Sequence, residues 1–368
     1  MTNKDVFHLE PNIFDSKLSG LLLDYEEKAQ NGDAEALPIL ANAYYLGIGV
    51  EKDMKTALAW LKKASDQGDP RAIASLGVEY QKGEIIERDM EKGFRLILQA
   101  STSGNIFIKA RLGLCYELGL GTPVDIEKAI AIYKEAEAND NIGARFRLAL
   151  IYAQGKAGVE QDLLKAFTYI YTLSKRGFPP ALEILGKFYM RGDVVSKSIK
   201  KGIECFDLAM RLGYKPAKCR IALELITGTN MEQDAPKGIE LLEELAKENF
   251  IPAIYYLGSV YDSGQYVNTD TQKAFDYYKK CAGSDYAQAW VSLGLLYVNG
   301  KGCKRDFSEA FKCFKKAASL NSSYGYFYMG KMYMEKGLSI FDKEKAVYCF
   351  KCSAKLGNIS ASEILNKL

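Results

Sequence analysis

Two short patterns in the chain have the form of reactive sites. Cys349 and Cys352 make a CxxC pair, the spacing that suits zinc binding or dithiol redox work. Ser198 and Lys201 make an SxxK, in which a lysine can activate a serine for acyl transfer. Glu243 and Glu244 supply paired carboxylates, and Gly47/Gly49, Gly119/Gly121 and Gly300/Gly302 form GxG steps of the kind that cradle phosphate. Histidine occurs once in 368 residues, at His8, so sites needing two imidazoles and most Ser/His or Cys/His arrangements are excluded by counting.

The elements that hold these residues follow from an internal period. A small residue after an apolar one recurs at Ala41, Gly77, Gly113, Ala149, Gly186, Ala222, Gly258, Gly294 and Gly330, in steps of 36 with a single 37. Three residues later stand Tyr44, Tyr80, Tyr116, Tyr152, Tyr189, Leu225, Tyr261, Tyr297 and Tyr333. A second small series runs Ala57, Gly93, Ala129, Ala166, Gly202, Gly238, Ala274, Ala310 and Ala346. Each unit reads as two helices. Glycines such as Gly47 end the first, and Asp53, Asp89, Asp125, Asp162, Asp234, Asp270, Asp306 and Asp342 cap the second, with Ser198 in the one remaining place. The small residues let the paired helices approach closely, with Tyr44 filling the space beside them.

That register reassigns the reactive patterns. Cys349 falls where Trp60, Leu96, Ile132, Tyr169, Leu241 and Tyr277 fall in other units, which is a packing position for a free cysteine. Ser198 is a helix cap, the GxG steps follow helices and are turns, and Glu243 and Glu244 share a solvated helix face with Lys247. No catalytic residue, metal site or cofactor is expected.

Composition bounds the rest. Lys plus Arg number 49 against 46 Asp plus Glu, a formal charge of +3 that advertises neither nucleic acid nor anionic membrane as a partner. No apolar run is long enough to span a bilayer, and Lys4, Asp5, His8 and Glu10 interrupt the segment where a secretory signal would lie. Eight irregularly spaced cysteines then read as reduced thiols in a cytoplasmic protein. The expected architecture is all-α: one continuous right-handed α/α solenoid of nine helix-turn-helix repeats over 33–359. An N-terminal segment and capping helix occupy 1–32, and a C-terminal capping helix 360–368.

The run Leu293-Gly294, Tyr297, Gly300, Gly302, Asp306, Ala310, Phe314, Lys316, Ala317 and Ala318 resembles the Sel-1-like repeat, a relative of the tetratricopeptide repeat. The resemblance implies a non-enzymatic adaptor or scaffold for protein complexes, with its first helices lining a concave groove. By that analogy the residue two before the small position points into the groove, which gives Arg111, Arg147 and Arg220, and Tyr256 in the same register. Neighbouring registers add Tyr45, Gln154, Lys187, Arg191 and Tyr255. Arginine and tyrosine suit hot spots, so the expected partner of this monomer is a protein or peptide presenting acidic and apolar side chains. Pairing of the arginines with Glu117 and Glu183 is the competing reading. Two other functions stay open: a bacterial effector or toxin-immunity protein using the same surface, and a penicillin-binding or β-lactamase-like cell-wall enzyme.

Overall fold

A computed structural model describes residues 17–155 and 158–368; the segment 1–16, with His8 and the start of the expected N-terminal cap, lies outside the described residues. Those residues form helices α1 (Lys17–Gln30), α2 (Ala36–Leu46), α3 (Met54–Asp66), α4 (Pro70–Lys82), α5 (Met90–Ser101), α6 (Ile106–Leu118), α7 (Ile126–Ala138), α8 (Ile142–Gln154), α9 (Leu163–Lys175) and α10 (Pro179–Arg191). The series continues with α11 (Ile199–Arg211), α12 (Lys215–Thr227), α13 (Ala235–Lys247), α14 (Ile251–Ser263), α15 (Thr271–Ala282), α16 (Ala287–Asn299), α17 (Phe307–Ser319), α18 (Ser323–Met334), α19 (Lys343–Lys355) and α20 (Ile359–Leu365). No strand occurs among the described residues. The helices gather into two compact units, one ending at Lys197 and one running from Ser198 to Leu368. Within each, helices pack against their sequence neighbours.

One turn chemistry, repeated, sets the helix ends. The first helix of a repeat stops at a left-handed glycine, as at Gly47, φ 73°, except in the last repeat, where α18 ends at Glu335 in extended backbone. The chain then returns so that the capping Asp donates its N–H to the carbonyl of the register tyrosine: Asp53 to Tyr44 at 3.0 Å, Asp89 to Tyr80 at 2.9 Å. The bond persists where Leu225 replaces tyrosine, so the backbone makes it. The Asp carboxylate accepts from free amides of the second helix, as Asp53 does from Lys55 at 2.9 Å, and Ser198 does the same from Lys201 at 3.3 Å. A lysine in that first turn covers the tyrosine ring: Lys92 sits 4.3 Å from the centroid of Tyr80 and Lys165 4.1 Å from that of Tyr152.

The small positions of the first helices are filled from the second helix. A Cβ on Gly113 would stand 2.7 Å from the Tyr133 ring, and one on Gly294 2.5 Å from the Phe314 ring. Tyr44, in the register beside them, also donates its hydroxyl to Glu26 at 2.6 Å. Second glycines of the GxG turns bring a loop onto the preceding repeat: a Cβ on Gly121 would meet the Met90 carbonyl oxygen at 1.9 Å.

Candidate functional site

Each unit carries its own set of candidate residues. In the first, Arg147 of α8 forks onto Glu117 of α6, with Nε donating to Oε2 at 2.8 Å and the terminal nitrogen to Oε1. Tyr133 of α7 donates its hydroxyl to Oε2 at 2.9 Å, so Glu117 is satisfied from two sides while almost fully buried. Burial opposes the Arg147 charge, but the hydrogen bonds and charge of Glu117 outweigh it and raise the guanidinium pKa. Burial, then the Glu117 charge, lifts the Tyr133 phenol well above its ordinary range.

One repeat earlier the same register is weaker. Arg111 donates to Gln81 Oε1 at 2.9 Å, its Nε is buried without a partner, and burial lowers its pKa. Gln81 is held in turn on the Leu120 carbonyl at 3.3 Å. Tyr45 accepts from Lys82 at 3.4 Å, and Lys82 also donates to buried Glu79 at 3.0 Å. Lys187 pairs with Glu183 on its own helix at 2.6 Å, whereas Gln154 and Arg191 are exposed at helix ends. The pairing alternative for the arginines therefore describes Arg147 with Glu117, whereas Glu183 takes Lys187 and, among the described residues, no arginine.

The second unit differs. Arg220 of α12 is exposed, makes no salt bridge among the described residues, and lies 5.9 Å from the Phe206 ring centroid. On α14, Tyr255 and Tyr256 meet edge to face at 5.5 Å, and Tyr255 also touches Tyr286 at 5.2 Å and Tyr278 at 5.6 Å. The Arg220 charge acts on the Tyr256 phenol, which burial raises overall. Burial, then the neighbouring tyrosines, pushes the Tyr286 phenol up to about 12. Thus Tyr255, Tyr256 and Tyr286 form one cluster, and the Arg220 charge reaches it at Tyr256. The sequence does not single out Tyr286, because it stands before α16 at a place held by Asp69, Asn105 and Asn141 in early repeats and by Phe178, Tyr214 and Phe250 in the three repeats before it. It caps nothing there, and no proline replaces it. Tyr133 and Tyr278 escape notice because they lie on second helices; their signal is a fixed offset from Glu117 and Asp262.

The reactive patterns serve structure. Ser198 spends its Oγ on the Lys201 amide. Burial pushes the Cys349 thiol up to about 11, the opposite of an activated thiolate, and all eight cysteines are free. Among the described residues no group of His, Cys, Asp and Glu is arranged to hold a metal, and no helix is long and apolar enough to cross a membrane.

The Sel1 repeat model matches residues 34–69, 70–105, 109–141, 142–177, 179–214, 216–250, 251–282, 285–322 and 323–358. Among curated proteins none matches the chain. A Sel1 repeat protein from Oxalobacter formigenes is similar in structure, with TM-score 0.51, 24% identity, and coverage of 89% of this chain and 95% of that one. The protective antigen c5321 of uropathogenic Escherichia coli, which displays an SLR fold, gives TM-score 0.50 and 23% identity over 94% of this chain and 74% of that one. Yeast Tom70 gives TM-score 0.50 and 16% identity over 95% and 80%. These likenesses agree with an all-α solenoid of helix-turn-helix repeats, and with nine matched repeats the chain belongs to the Sel1 repeat family.

Proposed function

We propose that the protein is a non-catalytic scaffold that holds a protein or peptide partner on its first helices, and that Arg220, Tyr255 and Tyr256 form the principal contact in the second unit. The observation that carries this reading is Arg220 itself, an exposed cation with no salt bridge among the described residues beside a cluster of tyrosines. A guanidinium offers a fork of donors to a partner carboxylate, and the neighbouring rings offer large apolar area at small entropic cost. In the first unit Arg111, Tyr45, Gln154, Lys187 and Arg191 make a secondary polar surface, and Arg147 contributes by fixing its shape. The partner presents acidic and apolar side chains, the scaffold is a monomer, and it works in the cytoplasm, where eight free thiols persist. Affinity capture from the native host with quantitative mass spectrometry tests the reading. Enrichment of a defined protein that Arg220→Glu releases supports it. Capture unaffected by Arg220→Glu overturns the assignment of the face.

A further inference from the structure

The Glu117–Tyr133–Arg147 arrangement has a fixed address in the sequence. Tyr133 lies 16 residues after Glu117, and Arg147 lies 30 after it. The same offsets counted from Asp262 reach Tyr278 and Ser292. Asp262, Tyr278 and Ser292 sit on α14, α15 and α16, three successive helices, just as Glu117, Tyr133 and Arg147 sit on α6, α7 and α8. The second unit therefore keeps the acid and the phenol of the triad and puts a hydroxymethyl where the guanidinium stood.

The consequences are visible at the acid. The Glu117 side chain is 1% exposed beneath Arg147, whereas that of Asp262 is 32% exposed. Asp262 Oδ1 is buried and receives no hydrogen bond. The cation that faces it is Lys301 Nζ, 3.8 Å away, outside hydrogen-bonding distance and on a side chain 53% exposed. Burial, then the Asp262 charge, raises the Tyr278 phenol, and the nearby Ser292 and Ser259 hydroxyls act to lower it. The Tyr255 ring lies 5.6 Å from the Tyr278 ring. An under-coordinated carboxylate beside aromatic rings and hydroxyl acceptors is suited to a planar, weakly hydrated cation.

We propose that Asp262, Tyr278 and Ser292 form a receiving site for the guanidinium of an arginine presented by a protein partner, seated as Arg147 is seated on Glu117. The proposal rests on the scaffold reading only for the source of that arginine. It adds a basic contact to a partner otherwise recognised through acidic and apolar groups. A lysine would meet the charge but not the two-oxygen fork.

The test uses the full-length protein and N-acetyl-arginine-N-methylamide as the probe, with deuterated protein observed by amide NMR. Saturable shifts centred on Asp262, Tyr278 and Ser292, with Kd on the order of 1 mM, are expected for so small a ligand. Asp262→Asn weakens binding at least tenfold. Ser292→Arg abolishes it by filling the site from within, and raises the melting temperature because it rebuilds the forked pair. Lys301→Ala leaves binding intact or tightens it. The proposal is overturned if neither the natural chain nor Lys301→Ala shows saturable shifts at tenfold that concentration, if Lys301→Ala loses binding, or if folded Ser292→Arg still binds the probe. Should Ser292→Arg fail to fold, Asp262→Asn decides the question: unchanged affinity refutes the site. Since the probe is a single residue, its failure leaves partner capture standing, and failed capture with a bound probe refutes the scaffold and keeps the site.

Discussion

Arg147 closes on Glu117 through both carboxylate oxygens, and the pair spans 30 residues of sequence between neighbouring repeats. Three arginines that share one register thus do three different things. Arg147 ties two helices together, Arg111 leans on a neutral amide, and Arg220 stands exposed. Removing Arg147 leaves a buried carboxylate without its cation, so Arg147→Ala should cost about 3–5 kcal/mol. Arg220→Ala should cost no more than about 1 kcal/mol. Urea denaturation of the two variants checks this, and the triple replacement Arg147→Met/Glu117→Leu/Tyr133→Phe, which also removes the hydroxyl that Glu117 satisfies, should recover most of the loss.

Two glycines with left-handed backbone separate conformation from space. Gly68 (φ 85°) has nothing within 4 Å of a built Cβ, and Gly121 (φ 78°) has the Met90 carbonyl at 1.9 Å. Gly68→Ala should cost about 1 kcal/mol, the penalty of the left-handed region alone. Gly121→Ala adds a collision that demands backbone movement and should cost about 3 kcal/mol. Melting midpoints of the pair measure the difference. Asp140, Asn249 and Asn321 occupy the Gly68 register with φ near 60°, and Asn249→Gly should be neutral or mildly stabilising.

Alkaline stability follows from the phenols. Tyr286 is pushed up to about 12, and Tyr133 and Tyr278 are raised further by burial. A raised folded-state pKa means that the folded chain keeps protons the unfolded chain has released, so its contribution is complete below pH 10 and fades as pH climbs through 12. Absorbance at the tyrosinate band should show these phenols ionising only with loss of helicity. Ionisation of all 24 tyrosines near pH 10 with the helices intact would contradict the packing.

The thiols give a compartment test. Burial pushes Cys219, Cys281 and Cys313 up to about 12, and Cys303 lies in a turn and is only partly buried. Unfolded protein isolated without reductant should yield eight reactive thiols, and native protein should react first at the half-buried Cys205, Cys303 and Cys352. A count of six or fewer with mapped bridges would contradict the cytoplasmic assignment.

Much of the fold is legible in the sequence because it is local. Asp and Ser caps, left-handed glycines and the small positions act within a turn or between paired helices, and the 36-residue period reports them directly. The division at Lys197 leaves no Pro- or Gly-rich linker to read. The candidate site is half legible. Its arginines and tyrosines can be enumerated, but their roles depend on a cross-repeat partner 30 residues away, glutamate for Arg147 and glutamine for Arg111. Tyr278 and Tyr286 come from a second helix and a capping position, where an apolar or structural role is the ordinary expectation.

If the scaffold grips its partner through the Arg220 face, the direct measurement is the Kd of the captured partner for Arg220→Glu beside Lys247→Glu, a charge reversal at an exposed residue of a second helix. At least a hundredfold loss is expected for Arg220→Glu, since a hot-spot contact is worth ~2 kcal/mol or more and is here replaced by repulsion, with less than a threefold change for Lys247→Glu. Unchanged affinity for Arg220→Glu with a large loss for Lys247→Glu would contradict that grip and place the partner on the second helices.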